Sequence, residues 1–168
     1  MSESAPNGAG GPQNGGAEAE SPGLWVLAQY LKDHSFENPR APLSFRDTGT
    51  APGIEVNVDV NARGLGAGQF EVELAVSARA RRGQDVVFVV ETTYAGVFEI
   101  VNVPENQIEP ILLIECPRLL FPFARQIVAE TTSNGNFPPV MLDPIDFMTI
   151  YQRNLAARQG GAQQALNA

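Results

Sequence analysis

Asp33, His34 and Ser35 are the residue types of an acid–base–nucleophile relay, and His34 is the only histidine in the chain. Consecutive residues of an extended segment point to alternate faces, so these three cannot face one another. Cys116 is the only cysteine. A reactive thiol needs an electropositive, partly open setting, whereas Cys116 lies beside Pro117 in an apolar helical stretch, the setting of an inert core residue. One Cys and one His cannot build a common zinc site, and no Cys-x-x-Cys spacing occurs. Gly64, Gly66 and Gly68 are followed by Gln69 and a strand. A dinucleotide cradle needs a further glycine and a helix there, so they read as a hairpin loop. No Gly-Lys-Ser/Thr phosphate loop occurs, and a carboxylate pair could be assembled from almost any two acids, so that pattern selects nothing. The residues point to a protein without a catalytic centre, metal or cofactor.

Its 168 residues suffice for one domain with a real core, and an apolar share of 43 % is too high for disorder throughout. The net charge of −8 argues against nucleic acid or an anionic membrane surface as partner, since both need Lys/Arg clusters. An acidic chain suits a basic partner or basic client segments, and equally suits simple solubility. A lone cysteine forms no intrachain disulfide and fits a reducing compartment, with the cytoplasm as the expected location. Met1 to Ala19 lacks the basic start and apolar stretch of a secretory signal. No run is long and apolar enough for direct membrane insertion.

The elements that must position any site read as strands first and helices last. Residues 1–22 carry almost no large apolar side chain and are expected to be a disordered tail. The ordered domain is expected over 23–158, and 159–168 as a flexible C-terminal tail. Leu24 to Phe36 is extended. Ile54, Val56, Val58 and Val60 alternate with Glu55, Asn57 and Asp59, the period of a strand with one buried face. Phe70, Val72, Leu74, Val76 and Ala78 repeat the pattern, and Asp85 to Tyr94 forms another strand. Helices are expected at Glu105 to Glu115 and Pro117 to Thr132, with Leu120, Phe123, Ala124, Ile127, Val128 and Thr131 on one stripe. Pro122 is tolerable only if that helix starts near Leu119. Ser133 to Asn136 stops it, and the last helix is expected from Asp143 as cap, with Pro144 at its first position, to about Arg158. The fold class is α+β: a four-stranded antiparallel sheet with helices packed on one face.

Two features exceed what such a domain needs. The outward sheet positions collect Glu55, Asp59, Glu71, Glu73 and Glu91, with Asp33 and Glu37 on a common side. A solvated face and an acidic docking surface are both open readings. Apolar side chains are also in surplus. Val86, Phe88, Val90 and Tyr94 take one face of their strand while Val87 and Val89 take the other, and Ile145, Phe147, Met148, Ile150, Tyr151 and Leu155 spread beyond a surface-helix stripe. Burial within the monomer, self-association and an exposed groove would each absorb them.

Several segments, in order over about 24–155, resemble the SecB family. The segment Lys32-Asp33-His34-Ser35-Phe36-Glu37-Asn38-Pro39-Arg40-Ala41-Pro42 is similar to the family's first-strand signature, and Gly96-Val97-Phe98 to its Gly-(Ile/Val)-Phe. The block Cys116-Pro117-Arg118-Leu119-Leu120-Phe121-Pro122-Phe123-Ala124-Arg125 resembles its most specific stretch. Gly135-Asn136-Phe137-Pro138-Pro139 and Leu142-Asp143-Pro144-Ile145-Asp146-Phe147 resemble its crossing loop and the entry to its last helix. The resemblance implies a dimer of dimers, a homotetramer acting as an ATP-independent holdase for unfolded precursor proteins that it delivers to the SecA motor. It implies docking of SecA's basic, zinc-bearing tail on the acidic sheet surface, carried here by Asp33, Glu37, Val89 and Glu91, with any zinc belonging to the partner. Client binding would fall to apolar grooves near Phe137, Met141, Leu142, Phe147, Met148 and Tyr151. Two rival readings remain at this stage: a small-ligand-binding α+β domain with an apolar groove, and an enzyme using Cys116.

Overall fold

The computed structural model describes residues 21–46 and 49–166. The tail expected over residues 1–22 thus falls almost wholly outside the described residues, as do residues 167 and 168. Four long strands, β1 (Gly23–Glu37), β2 (Gly53–Gly66), β3 (Gln69–Arg82) and β4 (Asp85–Val101), form one antiparallel sheet in the order β1-β4-β3-β2. Period-2 patterning builds β2 and β3, and the glycine-rich stretch turns the chain between them. Gly66, Ala67 and Gly68 all have positive φ (95°, 52° and 74°), a backbone that glycine enters without steric cost. The chain then returns from β3 to β4 through a two-residue turn with Gly83 at φ 59°. β1 pairs with the far edge of β4, so the connection that follows Glu37 crosses to the opposite edge of the sheet before β2 begins.

One face of the sheet is dry. Val72, Leu74, Val76 and Ala78 of β3 and Phe88, Val90 and Phe98 of β4 are buried beneath the helices. The alternation expected of β4 fails at its start. Ala80 pairs with Phe88 and Arg81 with Val86, which leaves Val87 as an extra, unpaired residue. This bulge turns Val87 into the core beside Phe88 and moves Val86 to the outer face, so of the valines only Val87 leaves the outer surface. β2 differs from expectation too. As an edge strand that the helical run reaches through the π turn near Val60, it keeps Ile54 and Val56 exposed and Val58 and Val60 half-buried.

The helices cover β3 and β4. α1 (Glu105–Pro110) continues through a π-helical turn, Ile111–Glu115, into α2 (Cys116–Asn134). The two separate helices read from the sequence are therefore one helical run. It passes through Pro110, Pro117 and Pro122. Each of these prolines lacks the N–H that would bond a carbonyl one turn back, and Pro122 forfeits a bond to the carbonyl of Arg118, a loss of about 3 kcal/mol. The stripe Cys116, Leu120, Ala124, Val128 and Thr132, spaced every four residues and buried, outweighs that loss. α2 stops at Asn134 as expected, with Asn136 at φ 64°. α3 (Phe147–Leu166) is capped not by Asp143 but by Asp146, whose carboxylate accepts from the backbone N–H (3.2 Å) and hydroxyl (2.8 Å) of Thr149. It continues through Gly160, beyond the end expected near Arg158.

Gly96 lets α2 approach the sheet. A Cβ there would lie 2.8 Å from the Phe98 ring and 3.1 Å from Leu120 Cδ2. Gly96→Ala is expected to destabilise the fold by about 1–3 kcal/mol through overpacking, read as a lower denaturant midpoint. An unchanged midpoint would show that α2 has slack at this contact.

Candidate functional site

Strand register places the outer-face residues in rows. Asp33, Thr93, Ala75 and Asp59 form one row across β1, β4, β3 and β2; Ser35, Glu91, Ser77 and Asn57 form the next; Glu37, Val89, Arg79 and Glu55 the third. Asp33, Glu37, Val89 and Glu91 therefore share one face within three adjacent rows. Their carboxylates are exposed and make no ion pair among the described residues, while Val89 is half-buried between them. A shallow depression of about 290 Å³ runs between Asp33, Glu91 and Asp59.

Glu71 and Glu73 lie on the same face but differ in kind. Glu71 is 4 % exposed and accepts from the Tyr30 hydroxyl, from Arg63 Nε and from Lys32 Nζ at 3.0 Å. Lys32 also pairs with Glu73. The Tyr30 hydrogen bond first, then that of Arg63, hold the Glu71 carboxyl down at about 2, against the desolvation that would raise it. The seven outward carboxylates read from the sequence thus divide. Two are neutralised within the sheet, and five remain available.

The apolar surface opens at the other side of β2. Phe137 of the crossing loop packs 4.8 Å from Phe88, 5.5 Å from Phe45 and 6.4 Å from Phe36, centroid to centroid. Beside these rings opens a cavity of about 630 Å³, lined by Phe45, Ile54, Val87, Phe88, Phe137 and Pro138. The loop is held in place by Thr132, whose hydroxyl accepts from Val140 N at 2.9 Å. Of the client-binding residues expected from the sequence, Phe137 lines this groove. Met141 and Met148 are exposed, and Tyr151 is half-buried against the core. Leu142 and Phe147 are core side chains, 3 % and 1 % exposed, and present no surface to a ligand. Phe45 and Ile54 were not singled out by the sequence reasoning. Their signal was an isolated phenylalanine in a polar connection and an apolar residue at the first turn of an edge strand.

The chemistry-bearing residue types are structural. His34 lies on the helix side, with Nδ1 2.8 Å from Thr92 Oγ1 and Nε2 2.9 Å from Thr131 Oγ1, and so links the sheet to α2. Asp33 and Ser35 point to the opposite face. Cys116 is fully buried, and burial pushes its thiol up to about 12. Among the described residues, no helix is long and apolar enough to cross a membrane.

A family profile described as "Preprotein translocase subunit SecB" matches residues 17–158, which include all four strands, the π turn and most of α3. The chain belongs to the SecB family. It is 54 % identical over 162 residues to the protein-export protein SecB of Mesorhizobium japonicum, covering 96 % of this chain and 95 % of that one. The SecB of Maricaulis maris is also 54 % identical, over 87 % of this chain and 85 % of its own length. Among solved structures, the SecB-like chaperone of Mycobacterium tuberculosis in complex with a ChAD peptide from the HigA1 antitoxin superposes with a TM-score of 0.60 at 16 % identity, covering 73 % of this chain and 90 % of that one. That likeness is one of fold. The SecB resemblance read from the sequence holds, and with it the four-stranded antiparallel sheet backed by helices.

The Glu71 cluster carries a pH signature. Its carboxyl titrates lower in the folded state, so its contribution to stability is complete above the ordinary carboxylate range and disappears as pH falls from about 4.5 to about 2. Glu71→Gln should be less stable at pH 7 by about 1–3 kcal/mol, with the deficit shrinking towards pH 2 in denaturant titrations. A deficit independent of pH would contradict the assignment.

Proposed function

We propose that this chain is a protein-export chaperone that binds unfolded precursor proteins without ATP, keeps them competent for translocation and delivers them to the SecA motor from the cytoplasm. The observation that carries the reading is the division of the molecule. An open aromatic groove built on Phe45 and Phe137, backed by the buried Phe88, lies on the helix side of β2, and five carboxylates that form no ion pair with the described residues lie on the outer face of the sheet. A native client has already buried its apolar segments, so a groove of this kind discriminates folding state without reading sequence. By holding U and not N it lowers the concentration of free unfolded chain and slows folding and aggregation together. The free edge of β2 beside Ile54 offers backbone groups to an extended client segment.

The docking residues in this reading are Asp33, Glu37, Val89 and Glu91, which would meet a basic segment of the motor. The client groove comprises Phe45, Ile54 and Phe137, backed by the buried Phe88, and the exposed Met141 and Met148 and the half-buried Tyr151 are assigned to client contact as well. Self-assembly into a dimer of dimers has support in β1. This sheet edge leaves Trp25 60 %, Leu27 48 % and Leu31 47 % exposed, and on α2 Leu119 and Phe123 are both 44 % exposed. A long apolar edge strand invites pairing, and a second copy is the partner that protects it.

Mixing the purified protein with a slow-folding precursor in the absence of ATP is expected to give a stable complex and to suppress aggregation of the precursor. If no complex forms with the unfolded client, the reading is lost. Phe45→Asp and Ile54→Asp alter exposed side chains and should weaken client capture about tenfold while the circular dichroism spectrum is retained. Reversing charge in Glu37→Lys/Glu91→Lys should weaken SecA binding about tenfold and leave client capture intact. Equal loss of both activities would contradict separate surfaces.

A further inference from the structure

We infer that Tyr30, Lys32, Arg63, Glu71 and Glu73 form a boundary on the outer sheet face that confines a basic partner to the half bearing Asp33, Glu91 and Asp59. This inference rests on the docking reading above and adds what limits and orients the docked segment.

The β1 strand makes the division. Its pairing with β4 slips between Leu31 and Asp33, leaving Lys32 as an extra residue. A bulge of this kind re-aims a side chain. Here it lets neighbouring residues of opposite charge serve the same face. Lys32 reaches over β4 to Glu71 and Glu73 of β3, while Asp33, in the row of Asp59, forms no ion pair with the described residues. Tyr30 crosses the same gap to Glu71, and Arg63 closes on Glu71 from β2. Ala95 points to this outer face and is nevertheless 0 % exposed. The cluster roofs it, which shows that these side chains lie down across the strands.

The two halves then offer a basic segment different terms. In the acidic half, five carboxylates stand against two arginines, Arg79 and Arg81, and none is engaged in an ion pair with the described residues. A Lys- or Arg-rich peptide pairs there without displacing anything. In the other half its cations would have to expel Lys32 and Arg63 from carboxylates those groups already hold, and would meet two like charges while doing so. Specificity built from a repulsive element beside an attractive one is a general device. It gives Asp59 and Glu55 of β2 a place in the docking footprint, and Lys32 and Arg63 the role of orienting it without touching the partner.

The test measures binding of a zinc-loaded peptide of SecA's basic tail by fluorescence anisotropy at low salt, with photo-cross-linking to map where it lies. Asp33→Asn/Glu91→Gln tests the docking reading itself, and unchanged binding there would remove it whatever the boundary does. Lys32→Gln/Arg63→Gln tests the boundary. These side chains are 36 % and 66 % exposed, and their loss bares Glu71 and Glu73. Affinity is expected to rise roughly threefold to tenfold, with cross-links spreading towards Glu73. Glu73→Gln, which frees the Lys32 charge without touching a docking carboxylate, is expected to lower affinity and serves if the double variant fails to fold. If a folded variant of either kind leaves affinity and cross-link positions as in the wild type, while Asp33→Asn/Glu91→Gln abolishes binding, the boundary is overturned and the docking face stands.

Discussion

The packing of α2 on β3 and β4 is the contact on which the other features depend. Cys116, Leu120, Ala124, Val128 and Thr132 form a stripe one residue wide per turn, seated over Gly96, where the absence of a side chain lets the helix come close. That stripe covers the middle of the sheet and does not reach its edges. β2 consequently keeps Ile54 and Val56 in the open, β1 keeps Trp25 and Leu31 in the open, and no helix among the described residues covers the outer face. A two-layer domain usually hides its apolar surface by adding elements. This one leaves strips of it uncovered and places them apart from its charge.

Thr131 and Thr132 show how the contact is extended to the groove. Thr132 donates to Val128 O at 3.0 Å and accepts from Val140 N, so the end of α2 fixes the crossing loop that carries Phe137. Thr131 meets His34, which meets Thr92, so the same turn of helix is tied to β1 and β4. The groove wall is thereby a rigid extension of the core. A rigid apolar wall loses little freedom on binding, which favours capture of a flexible chain that itself must be ordered.

Much of the fold was legible because period-2 alternation is a local signal. Ile54 to Val60 and Phe70 to Ala78 announce their strands, and the glycines at 66 and 68 announce the turn between them. What was not legible depends on partners far along the chain. The bulge at Val87 is set by how β4 registers on β3. The helix survives Pro122 only because the sheet beneath it supplies the packing. Glu71 and Glu73 look like any outward acids until strand pairing delivers Lys32, some 40 residues away in sequence, to both. Asp146 rather than Asp143 caps α3 because Thr149 supplies both donors to it, a detail of local geometry that several nearby acids and prolines obscure. Leu142 and Phe147 illustrate the same limit: apolar type marks them as candidates for a groove or a core, and only packing decides for the core.

The central claim is that client and docking partner use opposite sides of one subunit. Hydroxyl-radical and carboxyl labelling of the assembled protein, with and without an unfolded precursor bound, tests it most directly by mass spectrometry. Client binding should protect Phe45 and Phe137 while labelling of Asp33, Glu37 and Glu91 stays at its free level. Protection of those carboxylates together with, or instead of, the aromatic groove would contradict it.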